Sequence, residues 1–408
     1  MDSRLDDILT SRLFGFPIMI ALLGAVLWIT VVGANYPSQV LATVLFWGER
    51  KLTQLFISVG APPWLHGSLV LGGYRTLAWV VSVMLPPMAI FFPLFTLLED
   101  LGYLARVTFN LDWFFKKSGA HGKQALTMAM GFGCNAAGVM ACRIIDSPRE
   151  RLIAIITNNF AVCNGRFPTL IALASFIAAG VARPGVGNSV AALIVVAMVI
   201  LGVCVTFMVS WLLSRSLLRG VPSSFILELP PYRRPDVPAV LVRSLYERTV
   251  LVLKRAVIVA APAGVVVWIL GNTTVGGRSI IAHMSGFLQP AAGLMGLDGA
   301  ILAAFILGLP ANEIVLPILL MSYLSERSLV DIVDLRSLFG ILAAHGWTWL
   351  TAMSTMVFAV LHYPCSTTLL TIAKETKSVR WTALAAVIPT AVAVSACALL
   401  TLIVRRLL

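Results

Sequence analysis

Gly131-Phe132-Gly133-Cys134-Asn135 stands inside Gln124–Cys142, a segment without a single Asp, Glu, Lys or Arg. The glycines on either side of Phe132 permit a backbone turn that a continuous helix forbids. Helix interrupted at membrane depth frees backbone groups, which must be buried in protein or line a cavity. The flanks set the geometry of this segment. Glu99–Lys123 precedes it with four basic residues, and the arginine-bearing turn Arg143–Arg151 follows it. Basic turns sit on the cytoplasmic side of a membrane protein. Gln124–Cys142 therefore enters and leaves by one face, as a re-entrant hairpin broken at residues 131–135.

Composition supports a lipid environment. Of 408 residues, 59% are hydrophobic and 12% charged, with a mean hydropathy of +0.93. A soluble domain has about a quarter of its residues charged. Uncharged runs long enough to span a bilayer occur at Phe14–Gly33, Thr76–Leu98, Pro184–Leu213, Ala256–Val275 and Trp381–Val404. Leu152–Ala182 holds one charge, Arg166, and Gly299–Leu324 holds one, Glu313; Leu338–Ala373 holds none. The first run lacks a small-residue cleavage site after a short apolar core, so it reads as an anchor rather than a signal peptide. The net charge of +12 is concentrated beside spans, with eight Lys/Arg in Ser214–Arg255. That distribution marks topology, not a nucleic-acid partner.

Counting outward from a cytoplasmic Ser214–Arg255 loop puts Gly299–Leu324 on the opposite face. It breaks at Gly308-Leu309-Pro310, where proline removes a helical donor. The expected fold is an all-α polytopic membrane protein with seven to eight transmembrane helices. Two re-entrant broken-helix gate hairpins complete it, arranged as an inverted repeat of the kind secondary transporters use. The expected divisions are 1–13, a short cytoplasmic N-terminus; 14–213, a first half with gate 1; 214–255, a cytoplasmic basic loop; and 256–408, a second half with gate 2. Tyr36–Pro63 and Gly276–Leu297 read as interfacial helices or extracytoplasmic connections. Arg405-Arg406 falls on the outer face, against the charge rule.

Polar residues gather at the breaks. Asn158-Asn159-Phe160 and Cys163-Asn164-Gly165-Arg166-Phe167-Pro168 lie in one span. Pro310-Ala311-Asn312-Glu313 lies at the second break, and His362-Tyr363-Pro364-Cys365 interrupts a later span. Ionisable groups within a bilayer usually face inward and serve function, whereas small residues alone also make tight helix contacts. Cys134, Cys163 and Cys365, with Asn135 and Glu313, offer S, N and O donors to a borderline-soft divalent cation. Gly133, Asn158, Asn164, Arg166 and Asn312 are the candidate path residues beside them. Cys142, Cys204 and Cys397 read as small hydrophobes. No CxxC pair and no G-x-x-x-x-G-K-[ST] occurs.

The motifs resemble those of FeoB-type ferrous iron transporters, and specifically their membrane (gate) domain. Leu98-Glu99-Asp100-Leu101-Gly102-Tyr103-Leu104-Ala105-Arg106 is similar to that family's LEDxGYxAR stretch. Gly131–Asn135 matches its first gate, and Arg149-Glu150-Arg151-Leu152 resembles the turn that follows. Asn158, Phe160, Cys163 and Arg166-Phe167-Pro168 follow its N-P-F-x-x-C-x-x-R-L-P stretch, and Glu228–Arg233 its ELPPYR loop. Ala311-Asn312-Glu313 stands where the second gate has A-K-E, and Tyr363-Pro364-Cys365 matches Y-x-P-C. Asn159 replaces the usual proline, Ala136-Ala137 a Val-Pro, and Asn312 a lysine.

The resemblance implies transport of Fe2+, or a similar divalent metal such as Zn2+ or Mn2+, between the two gates, with no permanently bound cofactor. The family's GTPase domain precedes the first span, where about thirteen residues stand here, so no GTPase activity is expected. Gates of this shape also resemble those of nucleoside carriers, which makes an organic-solute carrier the alternative. A non-transporting subunit is a third reading. A Cys-nucleophile enzyme is the least favoured, because neither His345 nor His362 shows a pairing with a thiol. The implied setting is a bacterial inner membrane, multi-pass, with a cytoplasmic N-terminus. Implied partners are the lipid bilayer and the metal, with a separate GTPase, a small cytoplasmic accessory subunit or a second copy as further ones; nucleic acid is not among them.

Overall fold

The computed structural model describes residues 2–11, 14–181, 187–220, 236–324, 329 and 335–407. The ELPPYR stretch, Glu228–Arg233, lies outside them. Among the described residues the one sheet is a hairpin pairing Thr274 with Ser279 and Val275 with Arg278. Everything else that is regular is helical, and seven helical segments are long and apolar enough to cross a membrane.

Helix α1, Gly15–Ser58, is 44 residues long. At 1.5 Å per residue it reaches about 66 Å, twice a hydrocarbon core. It absorbs most of Tyr36–Pro63, which the sequence suggested was a separate segment. The reason is tertiary: Glu49, which looks like a span boundary, is buried against the next span and pairs with Arg75 at 3.3 Å. The Tyr74 hydroxyl donates to the Leu45 carbonyl at 3.0 Å beside it. A π-helical stretch, Gly67–Tyr74, leads into α2, Arg75–Asp100, whose interior holds Pro86, Pro87 and Pro93.

At the end of α2 the chain turns through Gly102, at a left-handed φ of 76°, into α3, Tyr103–Lys117. Arg106 is buried there, donates to the Gly102 carbonyl at 2.7 Å and pairs with Asp6 at 3.0 Å. The Leu98–Arg106 stretch is thus a turn that clasps the N-terminal helix Asp2–Leu9. The cation of Lys117 lies 3.9 Å over the ring of Trp113, and that of Arg215 4.4 Å over Trp211, as expected for side chains at a membrane interface.

Two hairpins follow the same plan. The first is α4, Gln124–Gly133, and α5, Asn135–Ala141, separated by Cys134 with φ −154° and ψ 125°. Next come α6, Pro148–Thr157, a break, α7, Phe167–Val181, and α8, Gly187–Arg215. The second half opens with α9, Leu251–Asn272, and α10, Ile280–Leu294, which bends by 112° into α11, Gly299–Leu307. Its break residue, Ala311, has φ −153° and ψ 125°, nearly the angles of Cys134. A short 3-10 turn, Asn312–Ile314, and α12, Val315–Leu324, complete this hairpin. The broken span α13, Trp349–Leu361, and α14, Ser366–Thr376, then leads to α15, Val379–Leu407.

Three spanning segments (148–180, 189–215 and 252–272) separate the two hairpins, so these enter from opposite faces. The basic loop is followed by three spanning segments (252–272, 349–376 and 379–407), so Arg405 ends opposite it. There its guanidinium donates to the Gly293 carbonyl at 3.1 Å, at the C-terminal end of α10, where a cation complements the helix dipole. Buried hydroxyls inside the helices bond back to their own chain, as in Thr157 to Ile153 at 2.7 Å and Thr206 to Gly202 at 2.9 Å. Among the described residues, the buried hydroxyls of Thr96, Ser354 and Thr401 find no such partner.

Candidate functional site

Four chain breaks converge on one small cavity of about 30 Å³. The first hairpin brings Gly133, Cys134 and Asn135 to it, and the second brings Pro310 to Glu313. The break between α6 and α7 supplies Cys163, Asn164 and Gly165. The break before α14 supplies Cys365, with Thr367 and Thr368 one turn on. All five residues expected to meet a metal line this cavity, as do Gly133, Asn164 and Asn312. Two expected path residues, Asn158 and Arg166, are placed elsewhere.

Asn158 is a wedge inside the first hairpin. Its amide donates to the Asn135 carbonyl at 3.0 Å, and a side chain added at Gly131 or Gly138 would run into it. Asn135 supports the same turn: with its amide nitrogen set by its neighbours, it donates to Gly131 O at 3.0 Å and Ala161 O at 3.1 Å. The carbonyls freed by the break are thereby answered within the protein.

Arg166 is a staple between the two halves. It is 1% exposed, and one terminal nitrogen donates to the carbonyls of Asn159 and Val360, both at 2.8 Å. The other donates to Asn159 Oδ1 at 3.1 Å and toward His362 O at 3.4 Å. Its charge is met by carbonyl dipoles at the C-terminal end of α13, not by a carboxylate. Asn159 continues the join, donating to His362 O at 2.6 Å. The amide at 159, in place of the proline of the resembling motif, thus has a structural use.

Glu313 faces the cavity against the backbone of Gly165, where even a methyl group would overlap its carboxylate. Among the described residues it has no ion-pair partner. It is, among the described residues, the one formally charged side chain lining the cavity. Cys365 Sγ lies 3.3 Å from Thr368 Oγ1, and Ser366 ties its break to the second hairpin through Leu309 O at 2.8 Å and Pro310 O at 3.2 Å. Among the described residues no three His, Cys, Asp or Glu side chains are grouped closely enough to hold a metal ion together. The donors are arrayed around a space instead.

Ala256, Thr367 and Thr368 escaped sequence reasoning, and so did two lining methionines. Met84 and Met88 reach the cavity from α2. The available signal was Met84-Leu85-Pro86-Pro87-Met88, thioethers at i and i+4 around a double proline. His362 is buried with its ring against Phe305 (centroids 4.9 Å apart), and His345 stacks on Tyr323 (4.3 Å); neither lines the cavity. Cys142 and Cys397 donate to backbone carbonyls, and Cys204 lies exposed on α8.

Broken hairpins that enter from opposite faces and meet at a buried polar cavity are the build of a membrane transport protein. The chain belongs to the gate family described as "Nucleoside recognition", whose model matches residues 81–177 and 253–379. Residues 195–248 match a second model, "Ferrous iron transport protein B C terminus". The chain is 29% identical over 398 residues to an Fe(2+) transporter FeoB of Staphylococcus aureus (strain MSSA476), covering 95% of this chain and 57% of the relative. A Fe(2+) transporter FeoB of Methanocaldococcus jannaschii is 27% identical, over 91% of this chain and 54% of its own length. A Porphyromonas gingivalis relative, 24% identical over 93% of this chain, is named as a fusion of Fe(2+) transport protein A with Fe(2+) transporter FeoB. The chain spans about half the length of these relatives, from 49% to 57%. No solved structure matches it.

Proposed function

We propose that this chain carries ferrous iron across the membrane through the cavity between its two hairpins. The observation that carries this reading is the cavity itself. Three sulfurs (Cys134, Cys163 and Cys365), the amides of Asn135, Asn164 and Asn312, and one carboxylate, Glu313, surround about 30 Å³. That space admits a dehydrated cation or about two waters. Pockets for organic ligands begin near 300 Å³, about tenfold larger, so the family description "Nucleoside recognition" is not the reading favoured here. The names of the relatives point to iron.

In this reading Glu313 offsets part of the ion's charge, and neutral donors keep binding weak enough for release. The halves 14–213 and 256–408 each contribute a gate, with 214–255 and the N-terminus on the cytoplasmic side of a bacterial inner membrane. An inside-negative potential supplies about 2.3 kcal/mol per charge per 100 mV, so a divalent ion is drawn inward without nucleotide. No P-loop motif occurs in these 408 residues; a contribution from nucleotide would come from outside them. The fusion named in Porphyromonas gingivalis makes a small protein A-like subunit a natural partner.

The test is anaerobic Fe2+ uptake into proteoliposomes with an inside-negative potential. Uptake that Zn2+ or Mn2+ inhibits, and uridine does not, is the expected result. Uridine uptake without Fe2+ uptake would replace this reading with the organic-solute carrier.

A further inference from the structure

Two elements that belong to neither hairpin nor broken span also wall the cavity: α9, through Ala256, and α2, through Met84 and Met88. α2 brings the sulfur-bearing residues. This helix packs against α4 and against the turns Asn164–Arg166 and Asn312–Ile314. Pro86 and Pro87 interrupt its hydrogen-bond ladder at that level, since proline has no N–H to offer. Met84 and Met88 flank the interruption. At i and i+4 they share one helix face, and both line the cavity; Met88 is only 3% exposed. With the three cysteines they bring the sulfur-bearing residues that line the space to five among the described residues.

We propose that Met84 and Met88 are selectivity residues whose thioethers favour borderline and soft cations, Fe2+ above Mn2+, as the ion passes between the hairpins. The proposal rests on the cation-transport reading given above. A methionine in a core is often only a flexible filler, but three features set this pair apart. The two sulfurs stand on one face, at a helix defect, in a cavity whose other sulfur donors come from separate chain breaks. Their chemistry also suits transit. A thiol binds a metal by losing its proton, whereas a thioether has none to lose and adds no charge. Two neutral sulfurs therefore raise preference for softer ions without deepening the well into a trap. Hard cations such as Mg2+ and Ca2+, which seek oxygen, gain nothing from them.

The experiment compares the wild-type chain with a Met84→Leu/Met88→Leu variant, which keeps volume and apolarity nearly constant. Fe2+ and Mn2+ fluxes are measured in the same proteoliposomes. Sulfur neighbours are counted by Fe K-edge X-ray absorption on protein loaded with Fe2+ under anaerobic conditions. The expected result is an Fe2+ to Mn2+ flux ratio lower by roughly tenfold, the scale on which a lost site contribution acts, together with fewer sulfur neighbours. An unchanged ratio with an unchanged sulfur count overturns the proposal and leaves the transport reading standing. If the variant passes neither ion, the sulfur count decides: equal to wild type, it overturns the proposal, and reduced, it supports it. A wild-type chain that neither passes nor binds Fe2+ overturns the transport reading, and this proposal with it.

Discussion

Arg143 and Glu375 meet head to head across 232 residues of sequence: Nε donates to Oε2 at 2.7 Å and Nη2 to Oε1 at 2.6 Å. Arg143 follows α5, and Glu375 closes α14. Both helices begin at the cavity, with Asn135 after Cys134 and with Ser366 after Cys365. The pair therefore joins their far ends on the face of the basic turns. Between it and the cavity, Arg255 donates to Thr371 Oγ1 at 3.1 Å and lies 3.9 Å from Met140 Sδ. An ion leaving by this face has to pass where these two helices are held together.

Glu375→Gln is expected to loosen that junction without unfolding the protein. Arg143 is 69% exposed and Glu375 13%, and a bidentate pair open to solvent on one side is worth about 1 kcal/mol. The initial rate of Fe2+ uptake should rise by up to about fivefold, the equivalent of that energy. Thermal stability in detergent should hardly move. A slower rate, or a large fall in stability, would remove the junction from the exit.

Replacing Arg166 should act on folding more than on flux. Arg166→Met leaves buried carbonyls at Asn159 and Val360 without their donor. Each unsatisfied buried group costs about 1–3 kcal/mol, so a loss of about 3 kcal/mol or more is expected, read as a lower thermal transition and poor monodispersity. Arg166→Lys should recover only part of it, because a compact ammonium cannot reproduce the guanidinium fork. Wild-type stability in Arg166→Met would return the residue to the ion path.

The two hairpins were legible because glycine, proline, cysteine and asparagine break apolar runs where a continuous helix would be cheaper. The direction of the first hairpin follows from the basic turns beside it, and that of the second from counting spans outward from the basic loop. Other features depend on partners remote in the chain. The first span reads as Phe14–Gly33, with Tyr36–Pro63 as a separate segment, whereas Glu49 is answered by Arg75 and the helix runs on to Ser58. Arg166 was rightly read as turned inward, but its partners at Val360 and His362 lie nearly 200 residues on. Met84 and Met88 carried no charge or polarity to set them apart from neighbouring apolar residues. Their importance comes only from facing the same space as Cys134, Cys163 and Cys365.

The thiols divide into two groups with opposite expectations. Cys134→Ser/Cys365→Ser exchanges soft donors for hard hydroxyls at the cavity and is expected to abolish Fe2+ uptake, with folding retained. Cys142→Ser and Cys397→Ser touch sulfurs that bond to backbone carbonyls and do not line the cavity, and uptake should stay within about twofold of wild type, as for substitutions without a site role. Full uptake in the double variant would exclude a thiol-lined path.

Gly165→Ala provides a sharper probe of the carboxylate, since the added methyl would occupy the position of the Glu313 oxygens. The carboxylate must shift, and uptake should fall at least roughly tenfold, as misplacement of a site group by even about 1 Å is costly. Circular dichroism and monodispersity should remain those of wild type. Uptake unaffected by this change would show that the ion does not depend on where Glu313 sits.

On the basic face outside the spans, His121 supplies a pH dependence of stability. Its Nδ1 accepts the Lys123 backbone N–H at 3.0 Å, a bond that imidazolium cannot make. Burial holds its pKa below the ordinary 6.5, against the raising influence of Glu150, Asp112 and Asp146 and with a further lowering by Lys123. The folded state therefore prefers neutral imidazole. The sign follows from linkage: the unfolded chain takes up a proton first, near 6.5, so this contribution is fully present above that pH. It is lost as the pH falls from 6.5 through the lower folded value. His121→Asn keeps an acceptor and cannot titrate, so its thermal transition is expected to vary less than that of wild type between pH 7.5 and pH 5. Equal slopes for the two proteins would assign the acid sensitivity to other groups.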